Sequence, residues 1–230
     1  MSSEKIIVAI DGPAGAGKST VAKLLAQRLS YLYIDTGAMY RALTLKVKRN
    51  KINPSDEAAV CALMNNTAIE LRYANNTLKV FLDSEDVSEE IRKPYISEGI
   101  SEISKMKSVR ASMTQLQRSL AKNNNCVLEG RDIGTVVFPN AQHKFYIDAD
   151  FKERAFRRFK ELKEKKETIS LEGVEKDLSK RDTIDSTREC APLKKAEDAI
   201  HIDTTSLTVE EVIETLIASM ATAGKTKKSE

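Results

Sequence analysis

The stretch Ile6–Thr20, IIVAIDGPAGAGKST, constrains the fold more than any other part of the chain. Five consecutive apolar residues, Ile6 to Ile10, read as a strand buried on both faces, the pattern of a parallel sheet. Gly12-Pro13-Ala14-Gly15-Ala16-Gly17-Lys18-Ser19 follows and matches G-x-x-x-x-G-K-[ST] in full. From Lys18 the apolar spacing turns helical, which predicts Val21, Leu24, Leu25 and Leu29 on one face. Strand, glycine loop and helix therefore come in the order that a phosphate-binding loop needs. Gly12, Gly15 and Gly17 let the backbone turn its N–H groups onto phosphate oxygens, and the helix start adds its positive end. Lys18 is expected on the β- and γ-phosphates of a nucleotide and Ser19 on Mg²⁺, with Ala16 and Thr20 in the same cradle. Four fixed positions recur by chance in roughly one chain in a hundred of this length.

A length of 230 residues is enough for one large domain with a substantial core. A content of 41% hydrophobic and 31% charged residues excludes a disordered chain and suits a globular one. The net charge of +3 is spread along the sequence with no aromatic-interleaved basic patch, so nucleic acid is not an expected partner. The N-terminus shows no secretory h-region and no stretch is long enough for a membrane span, so a cytoplasmic protein without membrane contact is expected. Cys61, Cys126 and Cys190 lie far apart without metal spacing and read as reduced, at least partly buried thiols. His143 and His201 both sit beside apolar runs and read as strand residues, leaving no candidate histidine base.

Along the chain, strands alternate with helices, which predicts a parallel sheet with helices on both faces. A strand at Tyr31–Ile34 ends in Asp35-Thr36-Gly37, and a helix from about Ala38 to Arg49 follows. Ligands bind at the carboxyl ends of such strands, so Asp35, Thr36 and Arg41 stand where a second ligand would be held; a plain helix N-cap explains Asp35-Thr36 equally well. Thr67–Tyr73 and Thr77–Leu82 around Asn75-Asn76 predict an antiparallel hairpin inserted into this pattern. One helix is expected from about Glu102 to Lys122, with Met106, Val109, Met113, Leu116 and Leu120 as its core stripe and Arg110 at its edge. The strand Cys126–Leu128 leads into Glu129-Gly130-Arg131-Asp132-Ile133-Gly134, again at the ligand edge. After a strand at Lys144–Ile147, a charged helix from Asp150 to about Lys166 carries Arg154, Arg157 and Arg158, either as a solvated face or as a phosphate lid. The next helix, within 168–188, places Arg181, Asp185 and Arg188 on a shared face. Ala199–Asp203 is the last strand, Thr208-Val209-Glu210-Glu211 a capping box opening a helix to about Thr222, and the tail GKTKKSE is expected to be disordered.

Together, the glycine loop, the stretches DTGAMYR (35–41), EGRDIGTVVFP (129–139) and RDTIDSTRECAPL (181–193) resemble the bacterial cytidylate kinases, a P-loop nucleoside monophosphate kinase family. The likeness runs from Ile6 to about Thr222. It implies a three-layer P-loop kinase fold in one domain, with a core of 1–35, 108–150 and 169–230, a monophosphate-binding β insert at 36–107 and a helical lid at 151–168. The implied reaction is transfer of the γ-phosphoryl of ATP to CMP or dCMP with Mg²⁺, by a monomer. Carried over by position, Gly12, Gly15, Ala16, Gly17, Lys18, Ser19 and Thr20 hold ATP, and Arg154, Arg157 and Arg158 close over it. Arg41, Arg131 and Arg188 grip the acceptor phosphate beside Thr36; Ser101, Arg110 and Asp132 read the cytosine; Arg181 and Asp185 contact the sugar. Lys18, Arg131, Arg158 and Arg188 are the implied catalytic set and Ser19 the implied Mg²⁺ ligand. Glu129 stands where some relatives carry aspartate.

A P-loop GTPase switch would need N-K-x-D and D-x-x-G; the Asn50-Lys51 pair continues Ile52-Asn53, and no aspartate has glycine three places on. A nucleic-acid motor would need a second ATPase core that the chain is too short to hold. The nearest alternative is a kinase of the same fold for another small phosphorylated acceptor, such as UMP.

Overall fold

The computed structural model describes residues 5–74, 77–164 and 167–226. In chain order the first half contains β1 (Ile7–Asp11), α1 (Lys18–Leu29), β2 (Leu32–Asp35), α2 (Thr36–Arg49), α3 (Glu57–Asn65), β3 (Ile69–Ala74), β4 (Thr77–Leu82) and β5 (Glu85–Asp86). The second half contains α4 (Pro94–Lys105), α5 (Lys107–Ala121), β6 (Cys126–Gly130), β7 (His143–Asp148), α6 (Phe151–Glu164), α7 (Leu171–Thr187), β8 (Ile200–Asp203) and α8 (Val209–Thr226). Two tight turns, a 3₁₀ turn at Glu90–Arg92 and a π-helical turn at Ile133–Val137, complete the described backbone.

Five strands form one parallel sheet in the order β2-β6-β1-β7-β8. Alternation along β1 explains the three layers. Ile7 and Ala9 join one core with Met39 and Leu43 of α2 and Val109 and Met113 of α5. Val8 and Ile10 join the opposite core with Val21 and Leu25 of α1 and Val212 and Leu216 of α8. A strand covered by helices on both sides has no solvent face, hence the unbroken apolar run. The register brings functional carboxyl ends together, pairing Asp11 with Gly130 and Asp35 with Glu129.

The insert is a separate antiparallel sheet, β3-β4-β5, running from Ile69↔Leu82 to Ala74↔Thr77. Its Asn75-Asn76 turn lies outside the described residues. His143 and His201 lie in β7 and β8, and Cys61, Cys126 and Cys190 are free thiols. Asp35 is the N-cap of α2, accepting from the Ala38 N–H at 2.7 Å, so that helix opens at Thr36 rather than Ala38. The capping box at α8 forms as expected, with the Thr208 hydroxyl and the Glu211 carboxylate bonding reciprocally across the first turn.

Three local expectations are corrected. The single helix over 102–122 is two helices meeting at Met106, whose ψ of 125° is extended, and the earlier one begins at Pro94. Ile96, Ile100 and Ile103 bury their side chains in the same core as Val109 and Met113, so the apolar stripe runs through the break and hides it. Leu24 is 38% exposed; α1 seats Val21, Ala22, Leu25 and Ala26 on the sheet, and Leu24 falls at the rim. After Asp132 the chain enters the π-helical turn, with the Phe138 N–H bonded to the Ile133 carbonyl at 2.7 Å. The C-terminal helix continues through Gly224, Lys225 and Thr226, and 227–230 lie outside the described residues.

Candidate active site

The glycine loop between β1 and α1 adopts positive φ at Gly12 (148°), Gly15 (77°) and Gly17 (83°). At Gly12 a Cβ would lie 1.9 Å from the Ile147 carbonyl oxygen, so the loop leaves β1 flush against β7. Lys18 opens α1, is only 4% exposed and donates to the Pro13 carbonyl at 2.6 Å. Burial, then Arg131 and Arg181, lower its pKa to about 7, against the pull of Glu129 and Asp11. The loop thus holds a buried ammonium among guanidinium groups.

Behind it, Glu129 at the end of β6 is buried and accepts from the Tyr33 hydroxyl at 2.8 Å and from Ser19. Burial and the neighbouring Asp35 raise its pKa, opposed by Lys18. The Thr36 hydroxyl donates to the Glu129 carbonyl at 2.6 Å, stitching the start of α2 to the same strand end. No cluster of three or more His, Cys, Asp or Glu side chains able to hold a metal occurs among the described residues. A hydroxyl at the loop with a carboxylate behind it fits Mg²⁺, which keeps most of its shell as water and phosphate oxygen.

The structure brings the second set of sequence-selected residues together across elements far apart in the chain. Arg131 donates from Nε to Asp185 at 2.8 Å. Arg188, at the end of α7, donates to the other Asp185 oxygen at 3.4 Å and stands 3.9 Å from Asp132. Arg110 donates to Asp132 at 2.5 Å and to the Ser104 carbonyl at 2.9 Å, with its guanidinium over the Tyr40 ring. Ser101 lies half-buried on α4, whose Ser104 carbonyl holds Arg110. Arg41 rests on Asp35 at 3.2 Å. Arg181 faces this group with no hydrogen bond or ion pair among the described residues, and burial together with Arg131 lowers its pKa to about 10. Buried guanidinium nitrogens on Arg41, Arg110 and Arg188 have no hydrogen-bond partner among the described residues. Such a concentration of guanidinium groups, with unsatisfied donors, is chemically suited to a polyanion.

The three arginines of α6 have different partners. Among the described residues Arg158 donates to Glu161 at 2.7 Å, and its charge helps lower the pKa of Arg181. Arg157 donates to the carbonyls of Thr204 and Thr205 at 2.6 and 3.2 Å, tying α6 to the turn after β8. Arg154 is buried behind the glycine loop and donates to the Ala149 and Ala14 carbonyls and to Asp182.

The family model described as cytidylate kinase matches residues 8–222. The chain belongs to the cytidylate kinase family. Among similar proteins is the cytidylate kinase of Caldicellulosiruptor bescii, 49% identical over 93% of this chain and 95% of its own. That of Geobacillus sp. is 52% identical over 92% and 95%. That of Caldanaerobacter subterraneus is 53% identical over 90% and 91%.

Within this family frame the structure adds three residues that the motifs did not single out. Asp11, the last residue of β1, accepts from the Ile133 and Gly134 N–H groups at 2.8 and 2.7 Å. It thereby fixes the π-helical turn that follows Arg131 and Asp132, and burial raises its pKa to about 6 despite those two bonds. Tyr33 orients Glu129, and Asp182 meets the glycine loop. The sequence marked Asp11 only by placing a charge at the end of an apolar strand. Nothing in local spacing pointed to Tyr33 or Asp182, whose partners are remote in sequence.

Proposed function

We propose that this member of the cytidylate kinase family transfers the γ-phosphoryl group of ATP to CMP or dCMP, giving ADP and CDP or dCDP. The observation that carries the reading is the glycine loop, with Gly12, Gly15 and Gly17 at positive φ and the buried Lys18 at the start of α1. Gly12, Gly15, Ala16, Gly17, Lys18, Ser19 and Thr20 are assigned to the donor phosphates. Arg158 is assigned to close from the lid, taken as 151–168, and the acceptor-binding insert as 36–107. Ser19 would hold Mg²⁺, with Glu129 behind it; the ion, when bound, neutralises charge on the transferring phosphates.

Arg41, Arg131 and Arg188 are assigned to the acceptor phosphate beside Thr36, because planar guanidinium groups match phosphate oxygens bidentately. That phosphate is largely a dianion near neutral pH and is itself the nucleophile, so the site needs no general base. Asp132, held by Arg110, is suited to the exocyclic amine of cytosine, and Arg110 and Ser101 to its ring acceptors. Asp185 and Arg181 are assigned to the sugar hydroxyls. Positioning and charge neutralisation then supply most of the catalysis. A monomer in a reducing cytoplasm fits three free thiols and the absence, among the described residues, of any helix long and apolar enough to cross a membrane.

The deciding assay is ADP formation from ATP–Mg²⁺ with CMP, dCMP, UMP, AMP and GMP offered separately. Strong turnover with CMP and dCMP and little with AMP or GMP is expected. UMP turnover equal to CMP would remove Asp132 from base reading, and ADP formed at full rate without acceptor would overturn the kinase assignment.

A further inference from the structure

Ala14 sits on the outer side of the glycine loop, and both polar groups of its backbone are bonded to other elements. Its N–H donates to Asp182 Oδ1 at 3.3 Å, and its carbonyl accepts from Arg154 NH1 at 2.9 Å. The same Arg154 nitrogen donates to Asp182 Oδ2 at 2.6 Å, closing a ring of loop, α6 and α7. Arg154 is buried, its Nε is held by the Ala149 carbonyl at 3.1 Å, and its guanidinium lies over the Phe151 ring. The Ala14 methyl packs with Val174 and Leu178 of α7, so apolar contact backs the polar ring. At Gly15 a Cβ would stand 3.0 Å from the Arg154 carbonyl oxygen, which shows how closely α6 fits the loop.

Helix α7 is also the element that carries Arg181, Asp185 and, at its end, Arg188. Asp182 therefore joins the loop assigned to the donor to the helix assigned to the acceptor. We propose that Asp182 is a positioning residue that couples the two sites, so that filling the glycine loop fixes α7 in its acceptor-binding setting and the reverse. A polyphosphate that draws in the loop's N–H groups orders the peptide at Ala14. Asp182 and Arg154 pass that ordering to α7 and to the root of α6 through charge-assisted bonds, which are short and directional. Reciprocity is required of any such link: whatever factor the donor adds to acceptor affinity, the acceptor adds to donor affinity.

The proposal rests on the donor and acceptor assignments above, and the experiment separates the two. CMP binding to the full chain is measured by calorimetry alone and with a non-hydrolysable ATP analogue plus Mg²⁺, and analogue binding is measured with and without CMP. The native chain should show the same enhancement both ways, about fivefold or more, within the usual range of coupling between sites. Asp182→Ala should bring the enhancement to within about twofold of unity while each ligand alone still binds, a loss of most of that coupling. Asp182→Asn keeps the shape but has one acceptor oxygen for two donors, and should retain an intermediate factor. A residue that merely holds the fold together would weaken both ligands in proportion and leave the enhancement unchanged. That result in Asp182→Ala overturns the proposal, or in Asp182→Asn if the alanine variant does not fold, as does an enhancement near unity in the native chain. A native chain that binds neither ligand would overturn the functional reading and this proposal with it.

Discussion

Lys18→Met should make the ligand-free protein more stable while abolishing its activity. Lys18 is buried, and its pKa falls from 10.5 to about 7, with burial the first cause and Arg131 and Arg181 next. At roughly 1.4 kcal/mol per pH unit, a fall of about 3.5 units amounts to about 5 kcal/mol of native-state destabilisation. Methionine keeps the unbranched stem but loses the hydrogen bond to the Pro13 carbonyl, which offsets about 1.5–3 kcal/mol. The net gain is about 2–3.5 kcal/mol, or roughly 4–14 °C in Tm for a chain of this length. The sign with pH follows from proton binding. Between pH 7 and 10.5 the unfolded lysine holds a proton that the folded one has released, so native stability rises with pH across this window. The destabilisation is full below pH 7 and absent above 10.5, so the advantage of the variant should fall to near zero by about pH 9.5. Thermal unfolding of both proteins at pH 6.5, 8 and 9.5 tests this, with ATP–Mg²⁺ stabilising only the native chain. A variant less stable than the native protein at pH 6.5, or an advantage that does not change with pH, would refute the reasoning.

Asp132→Asn should lower the CMP-to-UMP ratio of kcat/KM by tenfold or more, about 1.4 kcal/mol of discrimination; steady-state kinetics with both acceptors would show an unchanged ratio if Asp132 does not read the base. Asp185→Ala leaves the Arg131 Nε and an Arg188 nitrogen without their carboxylate, so denaturant unfolding should show a loss of about 3–5 kcal/mol. In the same variant CMP should lose more affinity than dCMP, and equal losses would argue against contact with the 2′-hydroxyl. Gly12→Ala forces a Cβ to 1.9 Å from the Ile147 oxygen and should cost more than about 4 kcal/mol or prevent soluble expression. Gly17→Ala meets nothing within 4 Å and carries only left-handed strain, about 1–2 kcal/mol, so comparable melting temperatures for the two would contradict the loop geometry.

Much of this fold could be read before the coordinates because its signals are local. The apolar run of β1, the glycine spacing and the caps at Asp35 and Thr208 each act over a few residues. The break at Met106 was invisible because neither glycine nor proline marks it and the buried stripe continues across it. Most of the candidate site was legible as residue types at strand ends, yet which charge meets which was not. Arg154 shows why: on its own helix it stands beside Arg157 and Arg158, but its carboxylate partner is 28 positions away on α7. Periodicity ranks faces of a single element, and a contact between two helices and a loop lies outside its reach. Asp11 escaped for the same reason, since its two N–H partners come from a turn more than 120 residues later.

The arginines assigned to the acceptor phosphate already have counterions: Arg41 rests on Asp35, and Arg131 and Arg188 share Asp185, the carboxylate assigned to the sugar. Arg110 holds Asp132. On that assignment, binding is an exchange of ions: an incoming dianion takes the guanidinium groups of Arg131 and Arg188 and frees the Asp185 oxygens to accept from neutral sugar hydroxyls. Cytidine, which carries the hydroxyls but no dianion, has nothing to offer the arginines in return. On the same assignment the monophosphate is a key as well as an acceptor, and cytidine should bind this chain far more weakly than CMP.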